Sequence, residues 1–103
     1  MALREVRKFI PEGVFPRGGF WEEGFSFVGT IQQILIRPTN LDTIYNVGIR
    51  DEQGMLIWAK FNVEGELFTE EELGLILFPG EKRIILDDVA VDEPFTVKVI
   101  YQL

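Results

Sequence analysis

Two runs of carboxylates are the first residues in this chain whose type and spacing could do chemistry. Glu64, Glu66, Glu70, Glu71 and Glu72 fall in one stretch, and Asp87, Asp88, Asp92 and Glu93 in another. Converging carboxylates can hold a cation, and two that flank a bond can serve as acid and base. A calcium loop needs Asp or Asn in alternation around a glycine. The first run lacks that alternation and reads as a solvated charge run. The second is mostly Asp, whose side chain bonds nearby backbone donors, so turn chemistry is its stronger reading. A carboxylate-based hydrolase would need two of these groups to meet in one cleft.

The rest of the catalytic vocabulary is thin. The chain has no His and no Cys. It therefore lacks the usual general base near neutral pH, a thiolate nucleophile, any disulfide and the commonest metal ligands. Tyr45, Tyr101, Lys60 and Lys98 are scattered on strand-like segments and suggest no catalytic set. Gly13 and the Gly18-Gly19 pair do not have the spacing of a phosphate loop. The expectation is a binding or assembly module and not an enzyme, with no cofactor and no metal.

Charge narrows the partners. The net charge is −7. Residues 1–24 balance, with Arg4, Arg7, Lys8 and Arg17 against Glu5, Glu12, Glu22 and Glu23, so the excess lies in residues 25–103. An acidic body without a basic stripe repels phosphate backbones, which argues against nucleic acid. No apolar run approaches the roughly 20 residues that span a bilayer, and the first residues have no signal-peptide core. A protein made in the cytoplasm, and kept there or released by some route other than secretion, is expected, with no membrane partner.

Aromatic residues are the remaining candidates for contact. Nine Phe, two Trp and two Tyr occur in 103 residues. Residues 11–24 are crowded with Gly and Pro yet carry Phe15, Phe20 and Trp21, and Phe25 and Phe27 follow directly. A segment of that kind rarely carries large aromatics unless it docks, and for Phe15, Phe20 and Trp21 a contact with another molecule stands level with a local one. Phe15, Phe20, Trp21, Phe25 and Phe27 are the candidate partner-binding set. Trp58 is the other prominent ring. It reads as core or interface by burial habit, although an exposed Trp on a sheet can also stack on a sugar.

These residues must be positioned by strands. A strand is predicted at about 2–10, followed by an extended aromatic arm to residue 24, and the sandwich body is predicted over 25–103. Ile44 to Arg50 and Met55 to Val63 alternate and flank Asp51-Glu52-Gln53-Gly54, a hairpin signal. On the second of these strands Met55, Ile57, Ala59, Phe61 and Val63 share the apolar face, with Leu56, Trp58 and Lys60 opposite. Thr69 to Glu72 has the spacing of a capping box and suits one helical turn. Leu73 to Phe78, Arg83 to Leu86 and Phe95 to Tyr101 read as further strands. About seven short strands with close turns predict an all-β fold, a single antiparallel β-sandwich of jelly-roll or Ig-like type with an extended N-terminal arm.

Ile36-Arg37-Pro38-Thr39-Asn40, the stretch Tyr45 to Ile57, and Asp92-Glu93-Pro94-Phe95-Thr96-Val97-Lys98-Val99 together carry a resemblance. Over roughly residues 31–101 the chain resembles small β-sandwich structural proteins of tailed bacteriophages, of the capsid-decoration or head–tail type. The resemblance implies a virion protein made in a host cytoplasm, with no catalytic residue. It would associate with itself or with other virion subunits through the arm, using residues 2–10 for strand addition. The alternative is a carbohydrate-binding sandwich that uses Trp58 or Trp21.

Overall fold

Branched and aromatic side chains alternating with polar ones let each run bury one face and leave the other to solvent. Most of the described residues are strand for that reason. The computed structural model describes residues 3–11, 13, 19–26, 28–68, 75–77, 80–90 and 93–102, with only the backbone at 75–77. The strands are β1 (Leu3–Ile10), β2 (Trp21–Phe25), β3 (Gly29–Pro38), β4 (Ile44–Arg50), β5 (Leu56–Glu64), β6 (Leu67–Phe68), β7 (Leu75–Leu77), β8 (Lys82–Asp87) and β9 (Phe95–Gln102). No helix occurs among the described residues. The capping-box segment, Thr69 to Glu72, lies outside them.

The strands form two antiparallel sheets packed as a sandwich. The first has the order β1-β9-β3-β6, with β7 also on β3, and the second has the order β2-β8-β4-β5. β6 pairs with Leu35 and Ile36 and β7 with Gly29 to Ile31, so both lie along one edge of β3. Counted as one position, they make eight strands in the interlocked Greek-key order of a jelly roll. Of the two expected sandwich types, this is the one present.

Besides the two-residue β6, the strand absent from the expectation is β2, whose Gly- and Pro-rich surroundings argue against regular structure. Trp21, Glu23 and Phe25 nevertheless sit on one side of an extended chain, with Glu22 and Gly24 on the other. Their ladder partner is β8, with Trp21 opposite Leu86 and Phe25 opposite Lys82. β1 likewise runs in register with β9 of the same chain, from Leu3 opposite Gln102 to Ile10 opposite Phe95. Residues 3–10 and 21–24, expected in the N-terminal strand and arm, thus form one outer strand of each sheet together with Phe25. Both pairings join segments far apart in the chain, and no local pattern announces them.

Between the sheets lies a core of Ile10, Ile31, Ile34, Ile36, Tyr45, Val47, Ile49, Ile84, Leu86, Val89, Phe95, Val97 and Val99. Burying each such side chain is worth about 1.5–3 kcal/mol. At its centre the rings of Tyr45 and Phe95 meet edge to face, 5.3 Å apart at 88°. The Tyr45 hydroxyl donates to the Gly65 carbonyl at 2.6 Å. A buried polar tip is thereby satisfied.

The Asp51–Gly54 hairpin forms as its sequence predicts. Asp51 Oδ1 accepts the backbone N–H groups of Gln53 and Met55, each at 2.9 Å. Gly54 closes the turn at φ +83°, and its N–H donates to the Asp51 carbonyl at 3.0 Å.

The predicted alternation on β5 does not hold. Register shifts between Tyr45 and Val47, and between Ile49 and Arg50, each place an extra residue on β5. Every such bulge reverses which way the following side chains point. Ile57, Trp58 and Val63 therefore pack on the core, while Met55, Leu56 and Phe61 are exposed. Trp58, read from its burial habit as core or interface with a sugar platform as the alternative, is half-buried against the core.

Candidate binding groove on the outer face of the second sheet

The outward positions of β4 are Asn46, Gly48 and Arg50, because Tyr45, Val47 and Ile49 point into the core. Across β8 they meet Asp87, Ile85 and Arg83, and across β5 Gly48 meets Ala59 and Arg50 meets Leu56. With Phe61, these residues other than Arg83 line a shallow groove of about 80 Å³ across the middle of the sheet.

Its floor is Gly48 and Ile85, both buried although they stand on the solvent side. Gly48 leaves that floor low. A Cβ there would come within 2.8 Å of Leu56 Cδ1 and 3.4 Å of the Trp58 carbonyl oxygen. Glycine inside a strand often marks such a close approach.

Phe61 is the raised wall, with 66% of its surface exposed. Its orientation follows from the neighbouring bulge. Asn62 adopts a left-handed φ of 55°, and its N–H donates to Asn46 Oδ1 at 2.9 Å. A side-chain amide on one strand thus pins the irregularity of the next. Along the rim stand Asp87, half-buried beside Asn46, and Arg50, exposed beside Arg83. Arg83 itself is engaged, donating at 2.9 Å to Glu22 and lying 2.9 Å from Glu81.

Chemically this is a flat apolar floor, one exposed ring, an amide, a carboxylate and a guanidinium. It can cover the C–H face of a small polar molecule while offering donors and acceptors at its edges. Asp87 is the one carboxylate among the described lining residues.

The other sequence-predicted residues go elsewhere. Trp21 and Phe25 turn inward and pack against the core. Phe20 remains half exposed. Phe15 and Phe27 lie outside the described residues, as do Glu70, Glu71, Glu72 and Asp92. Glu66 pairs with Arg37 at 2.9 Å on the first sheet. Asp88 is an exposed turn residue at φ 51°. Glu93 is buried, accepting from Thr43 Oγ1 at 2.6 Å and from the Asn40 N–H at 3.2 Å. It fastens the β3–β4 turn to the start of β9. These carboxylates are spread over separate turns, and no group of three or more His, Cys, Asp or Glu placed to hold a metal occurs among the described residues.

Sequence reasoning missed Asn46, Gly48, Phe61 and Ile85. Gly48 within an alternating strand was the available signal, since glycine there costs strand stability and needs a reason. Nothing local marked Phe61, whose facing depends on bulges.

No protein-family model matches this chain, and no curated protein matches its sequence. Solved structures do. The Yersinia pseudotuberculosis-derived mitogen is 9% identical with a TM-score of 0.55, over 98% of this chain and 86% of that one. The carbohydrate-binding module CBM36 in complex with calcium and xylotriose is 16% identical with a TM-score of 0.46, over 97% and 98%. A family two carbohydrate esterase from Cellvibrio japonicus is 9% identical with a TM-score of 0.45, over 97% of this chain and 33% of that one. At such identities the likeness to the mitogen is one of fold alone, and it agrees with the two-sheet sandwich built above.

Proposed function

We propose that this protein is a carbohydrate-binding β-sandwich module that holds a short stretch of glycan on the outer face of the second sheet and does no chemistry on it. The observation that carries the reading is Phe61, held out beside the Gly48–Ile85 floor with Asn46, Asp87 and Arg50 around it. A sugar ring has an apolar C–H face and hydroxyl edges. An exposed aromatic covers the first, while amide, carboxylate and guanidinium meet the second. The groove is shallow and open, so the ligand lies across the strands. Trp58 takes no part, because it packs on the core side.

The test is a titration of the ¹⁵N-labelled protein with a panel of soluble oligosaccharides. Saturable shifts at Asn46, Gly48, Ala59, Phe61 and Ile85, lost in Phe61→Ala, are the expected result. If no sugar moves these resonances, the reading fails.

A second reading, assembly with other protein subunits, is supported by Phe9 and Phe20. They stand at either end of the connection from β1 to β2, and both are exposed, at 68% and 50%. Sedimentation of the wild type against Phe9→Ser/Phe20→Ser checks it. An oligomer that dissociates in the variant supports assembly, and a wild-type monomer counts against self-association.

A further inference from the structure

The two sheets part where β1 and β2 form their outer strands, and the gap holds a cavity of about 320 Å³. Val6, Phe25, Ile84, Val97, Val99 and Tyr101 contribute to its walls. Interiors of small domains pack with few voids larger than a water molecule. A space this size falls at the lower end of the roughly 300–1,000 Å³ of small-molecule sites, which are also mostly apolar with a few polar groups.

The polar groups are at the mouth. The inward side of β1 carries Arg4, Val6, Lys8 and Ile10, opposite Tyr101, Val99, Val97 and Phe95 of β9. Lys8 Nζ spans the opening to Glu23 Oε1 of β2 at 3.2 Å, with both side chains still partly exposed. Arg4 stands exposed above Val6 and has no ion pair with a described residue. Lys82, the register partner of Phe25, is buried and donates to the Gly80 carbonyl at 3.3 Å. Inward charges on an outer strand also discourage pairing with another chain. That accounts for Arg4 and Lys8 but not for the empty apolar volume behind them.

We infer that this gap is a second ligand site, distinct from the outer groove, for a small apolar molecule with one carboxylate head, of the medium-chain fatty acid class. The tail lies between the sheets against Val6, Phe25, Ile84, Val97 and Val99. The head stays at the mouth beside Lys8, the one cation among the described lining residues. The ammonium of Lys8 has three donors and Glu23 takes one, so a carboxylate can join it without displacing the existing pair.

The experiment uses the full chain, labelled with ¹⁵N, titrated with decanoate and separately with 1-decanol below their aggregation limits. Decanoate should produce saturable shifts at Val6, Phe25, Val97 and Val99. Lys8→Met should weaken decanoate about tenfold and leave decanol unchanged, since a charge-assisted bond carries that discrimination. Lys8→Met removes an exposed ion pair of little stabilising weight, so the variant stays folded. Val99→Phe, which fills the cavity, should abolish both ligands. Three outcomes overturn the inference: no saturable shift with decanoate, equal weakening of acid and alcohol by Lys8→Met, or shifts confined to the outer groove.

Discussion

Asn46 Oδ1 accepts the backbone N–H of Asn62 at 2.9 Å, tying β4 to the bulge of β5. The bond holds Asn62 in a left-handed conformation that non-glycine residues seldom adopt. Its neighbour Phe61 is thereby turned to solvent at the side of the groove. One side chain links strand register to the chemistry of the surface.

Replacing Asn46 with Leu should therefore lower oligosaccharide affinity as much as Phe61→Ala does. Stability should fall by about 1 kcal/mol, the net worth of one hydrogen bond. Asn46→Asp keeps an acceptor oxygen and should keep the bulge. Urea unfolding and ¹⁵N titration measured on the same samples check both halves.

Gly48→Ala should fill the groove floor without unfolding the domain. The nearest obstacle to its Cβ is the end of Leu56, an exposed flexible side chain that can swing away. The expected stability change is under about 1 kcal/mol. Glycan binding should be lost. A large drop in thermal midpoint would show that the floor is tighter than this.

Gly65 and Gly54 both have positive φ, at +70° and +83°, yet their alanine variants should differ sharply. At Gly65 an added Cβ runs into the Leu41 backbone carbonyl, and at Gly54 nothing lies within 4 Å. Gly54→Ala should cost about 1–2 kcal/mol for the left-handed backbone alone. Gly65→Ala adds a backbone clash and should cost more than about 2 kcal/mol, or roughly 10 °C or more in melting temperature. Differential scanning calorimetry of the two variants decides this.

Burial raises the pKa of the Tyr45 hydroxyl well above its ordinary value of 10.0. The folded state then favours the neutral phenol more than the unfolded chain does. The associated stability is complete below pH 10 and is lost as pH rises beyond it. Tyrosinate absorbance should show Tyr45 ionising only with alkaline unfolding. Tyr45→Phe should remove that alkaline sensitivity, at the expense of the bond to Gly65 and about 1 kcal/mol at neutral pH.

Several parts of this fold were legible one segment at a time. The Asp51–Gly54 hairpin was among them, because its hydrogen bonds run between residues no more than four apart. The alternating strand from Phe95 was another, with Phe95, Val97 and Val99 buried as its period demands. The turn reading of the second carboxylate run fits Asp88 alone among its described Asp residues, since Asp87 ends β8 on the groove rim, and only the tertiary structure shows Glu93 as a buried fastener between Thr43 and Asn40.

The sequence by itself determined an all-β sandwich whose strands and turns follow from side-chain shape and period. Tertiary structure alone decided which strands pair and which way the rings point. β1 lies on β9 across nearly the length of the chain and β2 on β8 across more than half of it, which packed Trp21 and Phe25 against the core. Two bulges on β5 exchanged the faces of Trp58 and Phe61. The side-chain period of a strand is two, so a single extra residue reverses it. Whether that residue is accommodated depends on a partner strand that the local sequence does not contain.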